Sequence, residues 1–563
     1  MEKYRLRKIP PKKYLPELPD LERTLLYHRG VKDEEEAERF FDVCYERDLH
    51  DPFLLAGMDK AVSRILKAMN KGEKIAIFGD FDADGLCASV CWKDFFSRAG
   101  YDNVTFYIPH RHDEGFGVSE DALSGLKEDG ATLVITVDCG IADAKVLNGA
   151  KKQGLDVIVT DHHEPINGLP SVVAVIDPKR GDCSYPNRNL SGAGVAFKVI
   201  QGVLSRKRFG IPEGHEKWLL DLVGIATISD SVPLIGENRV LTRYGLLVLR
   251  KSPRVGIMKL CRKLNLSQRN ITEDDVGFMI APRLNAASRM GDIKDAFTLL
   301  STFDEAEAEE AVRGLERVNN ERKGVVASLV REIKSNSSVL VDHDVVVAGN
   351  PNWRPSLLGL VANSLAQEYS KPVFLWGRDG SQVIKGSCRS CGGVDLLALM
   401  GSTEESTFDQ YGGHQFAGGF SVHFESVHTL REELNVAYAK NGVSVTEAPG
   451  EIDAMLSLDD VTNPLYERVE RFSPFGVENP KPVFKFKNVL IKRMRTFGKK
   501  SEHLELVFED KKGGEVRAIG FFMTAKGLDR KPEEGTRADL IATVEKSYFG
   551  GRVELRLRIV DVV

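Results

Sequence analysis

Three short apolar runs in the first third of this chain each end in a polar turn that carries acidic or imidazole side chains. Lys74-Ile-Ala-Ile-Phe78 opens into Gly79-Asp-Phe-Asp-Ala-Asp-Gly85, Thr132-Leu-Val-Ile-Thr-Val137 into Asp138-Cys-Gly140, and Leu155-Asp-Val-Ile-Val-Thr160 into Asp161-His-His163. An aliphatic run of this length followed by a polar turn and a helical pattern is the signature of a buried parallel strand in a βαβ unit. The acids and imidazoles therefore fall at strand C-termini, where open α/β sheets place their ligands. Hard divalent cations take carboxylate oxygen, and Mn²⁺ also accepts neutral imidazole nitrogen. Three such loops converging on one crevice predict a hydrolytic centre for two ions, Mn²⁺ or Mg²⁺.

At 563 residues the chain predicts about three to four domains of roughly 150 residues each. Its 42% hydrophobic residues suffice for more than one core. No run of eighteen apolar residues is present, and Met1 to Lys8 lacks the apolar segment of a secretory signal, so a cytoplasmic protein is expected. Eight scattered cysteines argue for reduced thiols; Cys388 and Cys391 form a lone CxxC with no second pair to complete a zinc site. A net charge of −5 does not advertise nucleic-acid binding, but carboxylates that await cations make an enzyme look more acidic than its groove is.

Residues 1–50 read as a proline-containing arm and a small helical element packed on the adjoining domain. Residues 51–335 read as a doubly wound parallel-sheet domain, with a mainly helical part and a long helix over 303–335. Residues 336–445 form a second, smaller α/β domain, and 446–563 alternate with period two, as in a small OB-like β-barrel. The predicted class is thus α/β, multidomain.

Asp80, Asp82 and Asp84 stand at i, i+2, i+4, a spacing that places alternate side chains on one side of an extended turn. Three carboxylates so close repel one another unless a cation is bound. Adjacent His162 and His163 point different ways, so one can ligate metal while the other meets a phosphate oxygen, and Asp161 can orient an imidazole from behind. Asp230 lies in an otherwise apolar stretch, Gly224 to Leu234, where an uncompensated carboxylate is costly.

Together with Ala226-Thr-Ile-Ser-Asp-Ser-Val-Pro-Leu234, these segments resemble the four motifs of the DHH phosphoesterase superfamily. Pro282-Arg-Leu-Asn-Ala-Ala-Ser-Arg-Met-Gly291, Gly386-Ser-Cys-Arg-Ser390, Gly412-Gly-His414 and Pro474-Phe-Gly-Val-Glu-Asn-Pro480 narrow the resemblance to the RecJ-type single-strand-specific 5′ exonucleases. The resemblance runs from about residue 50 to 563 and implies a DHH domain, a DHH-associated domain and an OB-fold around a groove that admits one strand. It implies metal ligation by Asp82, Asp84, Asp138, His162 and Asp230, with Asp80 close by and Asp138 bridging two ions. It places His163, Arg283 and Arg289 toward the scissile phosphate. Arg111, Ser387 and Arg389 resemble a pocket for the 5′-terminal phosphate, Gly412, Gly413 and His414 match a nucleotide-binding loop, and Asn285 joins the substrate contacts. Departures occur at Arg354 and Ser356, where the family usually has His and Gly, at Cys391-Gly392, and at Phe549, where an aromatic residue, often Trp, is expected.

The implied reaction is hydrolysis of single-stranded DNA from the 5′ end to 5′-mononucleotides, in recombination and repair, with single-strand-binding protein and a helicase as candidate partners. Two alternatives stand beside it. One is a DHH phosphodiesterase for short RNA or cyclic dinucleotides, against which the C-terminal barrel argues. The other is a non-enzymatic replication scaffold, whose mark would be lost ligand positions; all are filled here. Independently of family, Lys481 to Lys500 holds eight Lys or Arg and no acid. Lys485 and Lys487 alternate with Phe484 and Phe486, so a strand there would bury rings and, with Lys492, Arg493 and Arg495, present cations to a single strand.

Overall fold

The three apolar runs fold as neighbouring strands of one parallel sheet. After a short N-terminal strand, β1 (Tyr4–Leu6), the sheet is built from β2 (Ile75–Gly79), β3 (Val104–Tyr107), β4 (Leu133–Val137), β5 (Asp156–Thr160) and β6 (Ala174–Ile176), in the order β3-β2-β4-β5-β6. β2 and β4 are buried along their whole length, as expected of strands covered on both faces by helices. The register pairs Gly79 with Val137 and Val137 with Thr160, so the ends of β2, β4 and β5 are level. From β2 the chain steps to β3 on one side and returns to β4 on the other. The strand order thus reverses between β2 and β4, the crevice where doubly wound sheets bind ligands.

The computed structural model describes every residue except 1–2, 112, 166–167, 336–339, 341, 379–382, 392, 442–448, 499–500 and 549–552. The chain divides into two units. The first comprises residues 1–285, 293–312 and 449–563. Helices Gly192–Arg206 and Leu220–Ser229 pack on helix Ala83–Arg98 beside the parallel sheet. A buried Arg254 joins this layer: its guanidinium donates to Asp94 at 2.6 Å, to Asp221 at 2.8 Å and to the Leu300 carbonyl at 3.0 Å.

The second unit comprises residues 286–292 and 313–448. Its sheet contains β7 (Val346–Gly349), β8 (Val373–Gly377), β9 (Ile384–Arg389), β10 (Gln410–His414) and β11 (Ala417–Val422), ordered β10-β11-β9-β8-β7. Alternation along the strands feeds two cores. Val346, Val373 and Leu375 meet helix Pro355–Tyr369 on one face, while Val347 and Phe374 share the other with Leu396 and Leu434. The predicted long helix spans Glu305–Ser335, beginning in the first unit and ending in the second.

In the first unit, the C-terminal strands are β12 (Gly450–Ile452), β13 (Ala454–Leu456), β14 (Phe484–Phe497), β15 (His503–Glu509), β16 (Glu515–Gly520), β17 (Arg537–Ser547) and β18 (Glu554–Val562). A six-stranded sheet, β13-β14-β15-β16-β18-β17, closes on itself through a β14–β17 pairing, which makes the expected barrel. β14 pairs with β17 through its first half and with β15 through its second because register shifts at Phe486/Val489 and Ile491/Arg493 bend it.

The N-terminal segment meets the domain that follows it through Tyr45, which packs against Tyr244, and also sends Leu15, Leu25, Leu26 and Ala37 into the barrel core with Phe472, Phe484 and Phe486. β1 pairs in parallel with β12, and His28 Nδ1 meets Asp453 at 2.9 Å. The physical reason is that both faces of the parallel sheet are already covered, whereas the small barrel gains apolar area from the extra helices.

Among the described residues no helix is long and apolar enough to cross a membrane.

Candidate metal centre

Extension of the strand ladder places the first acids. Asp80 N–H donates to the Val137 carbonyl at 3.2 Å, Asp138 N–H to Thr160 at 3.0 Å and Asp161 N–H to Ile176 at 3.0 Å, so each acid begins where its strand ends. Asp138 has a left-handed backbone, φ +63°, which turns its carboxylate back over the crevice; Asp tolerates this region better than most residues.

The three aspartates of the first loop do not form the expected extended turn. Asp82 is the N-cap of helix Ala83–Arg98 and accepts from the Asp84 and Gly85 amides at 2.8 and 3.1 Å, which puts Asp84 in the first helical turn. Gly85 is needed there, since a Cβ would overlap the Asp80 carbonyl. The acids still converge. Oxygens of Asp80, Asp82 and Asp138 lie within 4.8 Å of one another, and so do ligand atoms of Asp84, His162 and Asp230 and of Asp138, His162 and His163. Asp138 belongs to two of these groups. Asp82 thus combines capping with a place in the cluster.

Charge in this crevice is poorly compensated. Burial, then the charges of neighbouring aspartates, push Asp84 and Asp138 well above the usual carboxylate range, and raise Asp80 to about 8 and Asp230 to about 7. His162 Nε2 faces Asp138 at 3.1 Å, Asp230 at 3.7 Å and Asp84 at 3.9 Å, yet has no hydrogen-bond partner; neither has Oδ1 of Asp80 or of Asp138. Burial keeps this imidazole neutral, down to about 3, and the backbone of Leu190 supplies its hydrogen bond. A neutral ring nitrogen among buried, partnerless carboxylate oxygens is the donor set that a divalent cation satisfies.

His163 differs from its neighbour. Burial pulls its imidazole down, but the hydrogen bond to Asp161, 2.8 Å from Nδ1, and the Asp161 charge outweigh this and hold it at about 9. Asp161 also accepts from the Ile141 amide at 2.9 Å, so it is fixed at both oxygens and orients His163 from behind.

Several supports lie outside the residues singled out from the sequence. Asp84 accepts from the Gly192 and Ala193 amides, both at 2.7 Å, which seats it on the N-terminus of helix Gly192–Arg206, where the helix dipole favours an anion. Gly192 allows this approach, because a Cβ would collide with the Asp138 carboxylate. Buried Asn238 donates to the Asn189 and Pro233 carbonyls and accepts from Asn187, tying the segment before that helix to the segment after Asp230. Asp177, which follows β6, is buried with Oδ2 partnerless, and burial raises it to about 7. Its signal was present: Val172-Val-Ala-Val-Ile176 before Asp177 repeats the pattern of the other three strand ends.

Other expected site residues have these places. Arg111 stacks its guanidinium 4.7 Å from the Phe81 ring and feels the charges of Asp80 and Asp82. Arg283 is buried and donates to the Met279 carbonyl at 2.6 Å. Asn285, read as a substrate contact, uses its Oδ1 to accept from the Ala83 amide at 2.8 Å, bracing the first loop. In the second unit Arg289 donates to the Ser356 carbonyl at 2.8 Å, and the Ser356 hydroxyl, one of the departures, donates back to the Arg289 carbonyl at 2.9 Å. Ser387 and Arg389 share one face of β9 with Gly359 packed against both. Gly412, Gly413 and His414 form an exposed edge strand, β10, rather than a loop, because they pair with Gly419, Gly418 and Ala417 of β11.

The basic strand carries ion pairs that its own segment does not show. Phe484 and Phe486 are fully buried as expected, but neighbouring strands supply the acids that β14 lacks. Lys485 meets Asp539 at 2.9 Å, Arg493 meets Glu515 at 2.6 Å, Lys492 lies 3.6 Å from Glu509, and Arg495 pairs with Glu505 directly across the ladder. Lys487 is exposed. Lys499, Lys500, Gly392 and Phe549 lie outside the described residues.

Three family models match: the DHH family N-terminal domain over residues 74–227, the DHHA1 domain over 342–440 and the RecJ OB domain over 452–561. The chain is 34% identical over 543 residues to the single-stranded-DNA-specific exonuclease RecJ of Bacillus subtilis, covering 96% of this chain and 67% of that protein. It is 30% identical to the protein of the same description from Escherichia coli over 97% of this chain and 96% of that one. The structure of RecJ in complex with Mn²⁺ from Thermus thermophilus superposes with a TM-score of 0.80 at 26% identity, covering 100% of this chain and 79% of that one. With sequence similarity over nearly its whole length and matches to the DHH, DHHA1 and RecJ OB models, the chain belongs to the RecJ family of single-stranded-DNA-specific exonucleases.

Proposed function

We propose that this chain hydrolyses single-stranded DNA from the 5′ end, releasing 5′-mononucleotides, with two Mn²⁺ or Mg²⁺ ions held by Asp82, Asp84, Asp138, His162 and Asp230. The observation that carries the reading is the partnerless set of Asp80 Oδ1, Asp138 Oδ1 and His162 Nε2, buried together at the strand-order reversal. When bound, divalent ions at this centre supply Lewis-acid polarisation of the phosphodiester and a water of lowered pKa. The chain's own residues do the rest. Asp138, shared by two ligand groups, sets their spacing. Asp161 holds the His163 ring by Nδ1, which leaves Nε2–H to donate to a phosphate oxygen as negative charge develops. Arg283 and Arg289 offset charge at the scissile phosphate, and Asp80 supports the first ion.

The 5′ polarity rests on Arg111 and on Ser387 and Arg389, whose guanidinium and hydroxyl groups suit a terminal phosphate, and on Gly412 to His414 as nucleotide contacts. The division into 1–50, 51–335, 336–445 and 446–563 follows the same reading, with Lys485, Lys487, Lys492, Arg493 and Arg495 as weaker contributors to strand binding. The free cysteines suit the reducing cytoplasm, and a helicase or a single-strand-binding protein would act on the same DNA. The deciding assay compares 5′-labelled, 3′-labelled and circular single strands with Mn²⁺. Release of labelled mononucleotide from the 5′ end alone, with circles untouched, is expected; equal degradation of circles would overturn the polarity.

A further inference from the structure

Beside the metal centre, a cavity of about 370 Å³ opens between the segments that flank Asp230 and the Phe475 to Lys481 turn. Ser229 and Ser231 line it on either side of Asp230, and Phe278, Phe475 and Val477 give it apolar walls. Its volume falls within the roughly 300–1,000 Å³ of small-ligand sites. Phe278 is the unusual element, being 75% exposed although its neighbours Val276 and Ile280 are fully buried. It sits in a π-helical segment, Val276–Ile280, a rare geometry that recurs at functional sites. That segment runs directly into helix Ala281–Met290, whose Asn285 accepts from the Ala83 amide at the first metal loop. The aromatic ring is thus held by a braced element, next to a metal-ligand loop, with its surface in solvent.

We infer that Phe278 is a stacking platform for a nucleobase of the single strand, and that the cavity beside Asp230 receives the nucleotide next to the scissile phosphate. This rests on the exonuclease reading and adds an aromatic base contact to it. An apolar ring suits it, since stacking accepts any base and sequence-independent degradation requires that tolerance. Lys481 also lines the cavity, paired there with Asp274.

The test scans abasic sites and 2-aminopurine through an oligonucleotide, using the full chain with Mn²⁺ and the variants Phe278→Ala and Phe278→Trp. One position should be sensitive: there, removing the base costs the wild type roughly tenfold in kcat/KM, the size of one lost base–aromatic stack. Phe278→Ala should lose the same factor on the intact strand, chiefly through KM, and nothing more from the abasic site. Phe278→Trp should retain the wild-type pattern. Quenching of 2-aminopurine at that position on binding reads the stack without turnover and should vanish in Phe278→Ala. Because the ring is exposed, unchanged thermal melting is expected in both variants. Additive losses, or a Phe278→Ala protein with wild-type KM and quenching, would overturn the inference and leave this face for a protein partner. A wild type that quenches 2-aminopurine but cleaves nothing would instead count against the exonuclease reading alone.

Discussion

The metal crevice and the barrel's basic strand both gather charge along a sheet, yet they treat it in opposite ways. In the crevice, carboxylates are buried, pushed above their usual range and left with partnerless oxygens. On β14 the cations are mostly half-exposed or exposed, and four of them have acidic partners from neighbouring strands. A protein maintains uncompensated buried charge only where a ligand completes it, because the isolated group costs several kcal/mol. Exposed pairs contribute about 0–1 kcal/mol each and need no function to explain them. Unsatisfied charge, rather than the amount of charge, separates the two regions.

The sharpest way to break this comparison is Asp138→Ala. Turnover should disappear, since the shared carboxylate is lost, and a folded variant that keeps more than about a tenth of kcat would end the two-ion assignment. Mn²⁺ at a hundredfold excess over its Kd should stabilise the wild type by about 2.7 kcal/mol in a melting experiment, and the variant far less. The second largest effect concerns buried charge that is paired. Arg254→Met leaves Asp94 and Asp221 without their guanidinium and should cost about 3–5 kcal/mol in urea unfolding, with Mn²⁺ affinity of the remaining folded protein little changed. Destabilisation under about 1 kcal/mol would show that burial alone does not make charge costly here.

Smaller effects test the phosphate-directed groups. Arg389→Ala should remove a charge-assisted contact of about 1.5–3 kcal/mol, seen as weaker discrimination between 5′-phosphate and 5′-hydroxyl ends. Unaltered discrimination would take Arg389 out of the 5′ pocket. The smallest effect is expected on the barrel. If all five β14 cations neutralised phosphates, replacing them would flatten the log K against log salt slope by about 3.5, at about 0.7 per contact for single strands. Because four are paired with acids, the Lys487→Ala, Lys492→Ala, Arg493→Ala, Arg495→Ala variant should change it by only about one. A change near three would mean that DNA displaces the acids, and would make this strand a principal binding surface.

How much of this was legible beforehand depends on the range of each interaction. The parallel strands, the acids at their ends, the long helix and the barrel were readable because each depends on near neighbours in the chain: unbroken apolar runs bury both faces, and period-two alternation buries one. The convergence of Asp80, Asp138 and Asp161 was readable too, since level strand ends place their loops together. Other features depended on partners far away in sequence. Asp84 needs the amides of Gly192 and Ala193, Lys485 needs Asp539 on β17, and Leu25 and Leu26 need Phe472 more than four hundred residues on. No local pattern announces such pairs. Local residue pattern set the strand ends, the donor atoms and hence the chemistry offered to a metal. Which charges stay unsatisfied was settled by folding, because compensation is a matter of distance and burial, and those are set by how the chain closes on itself.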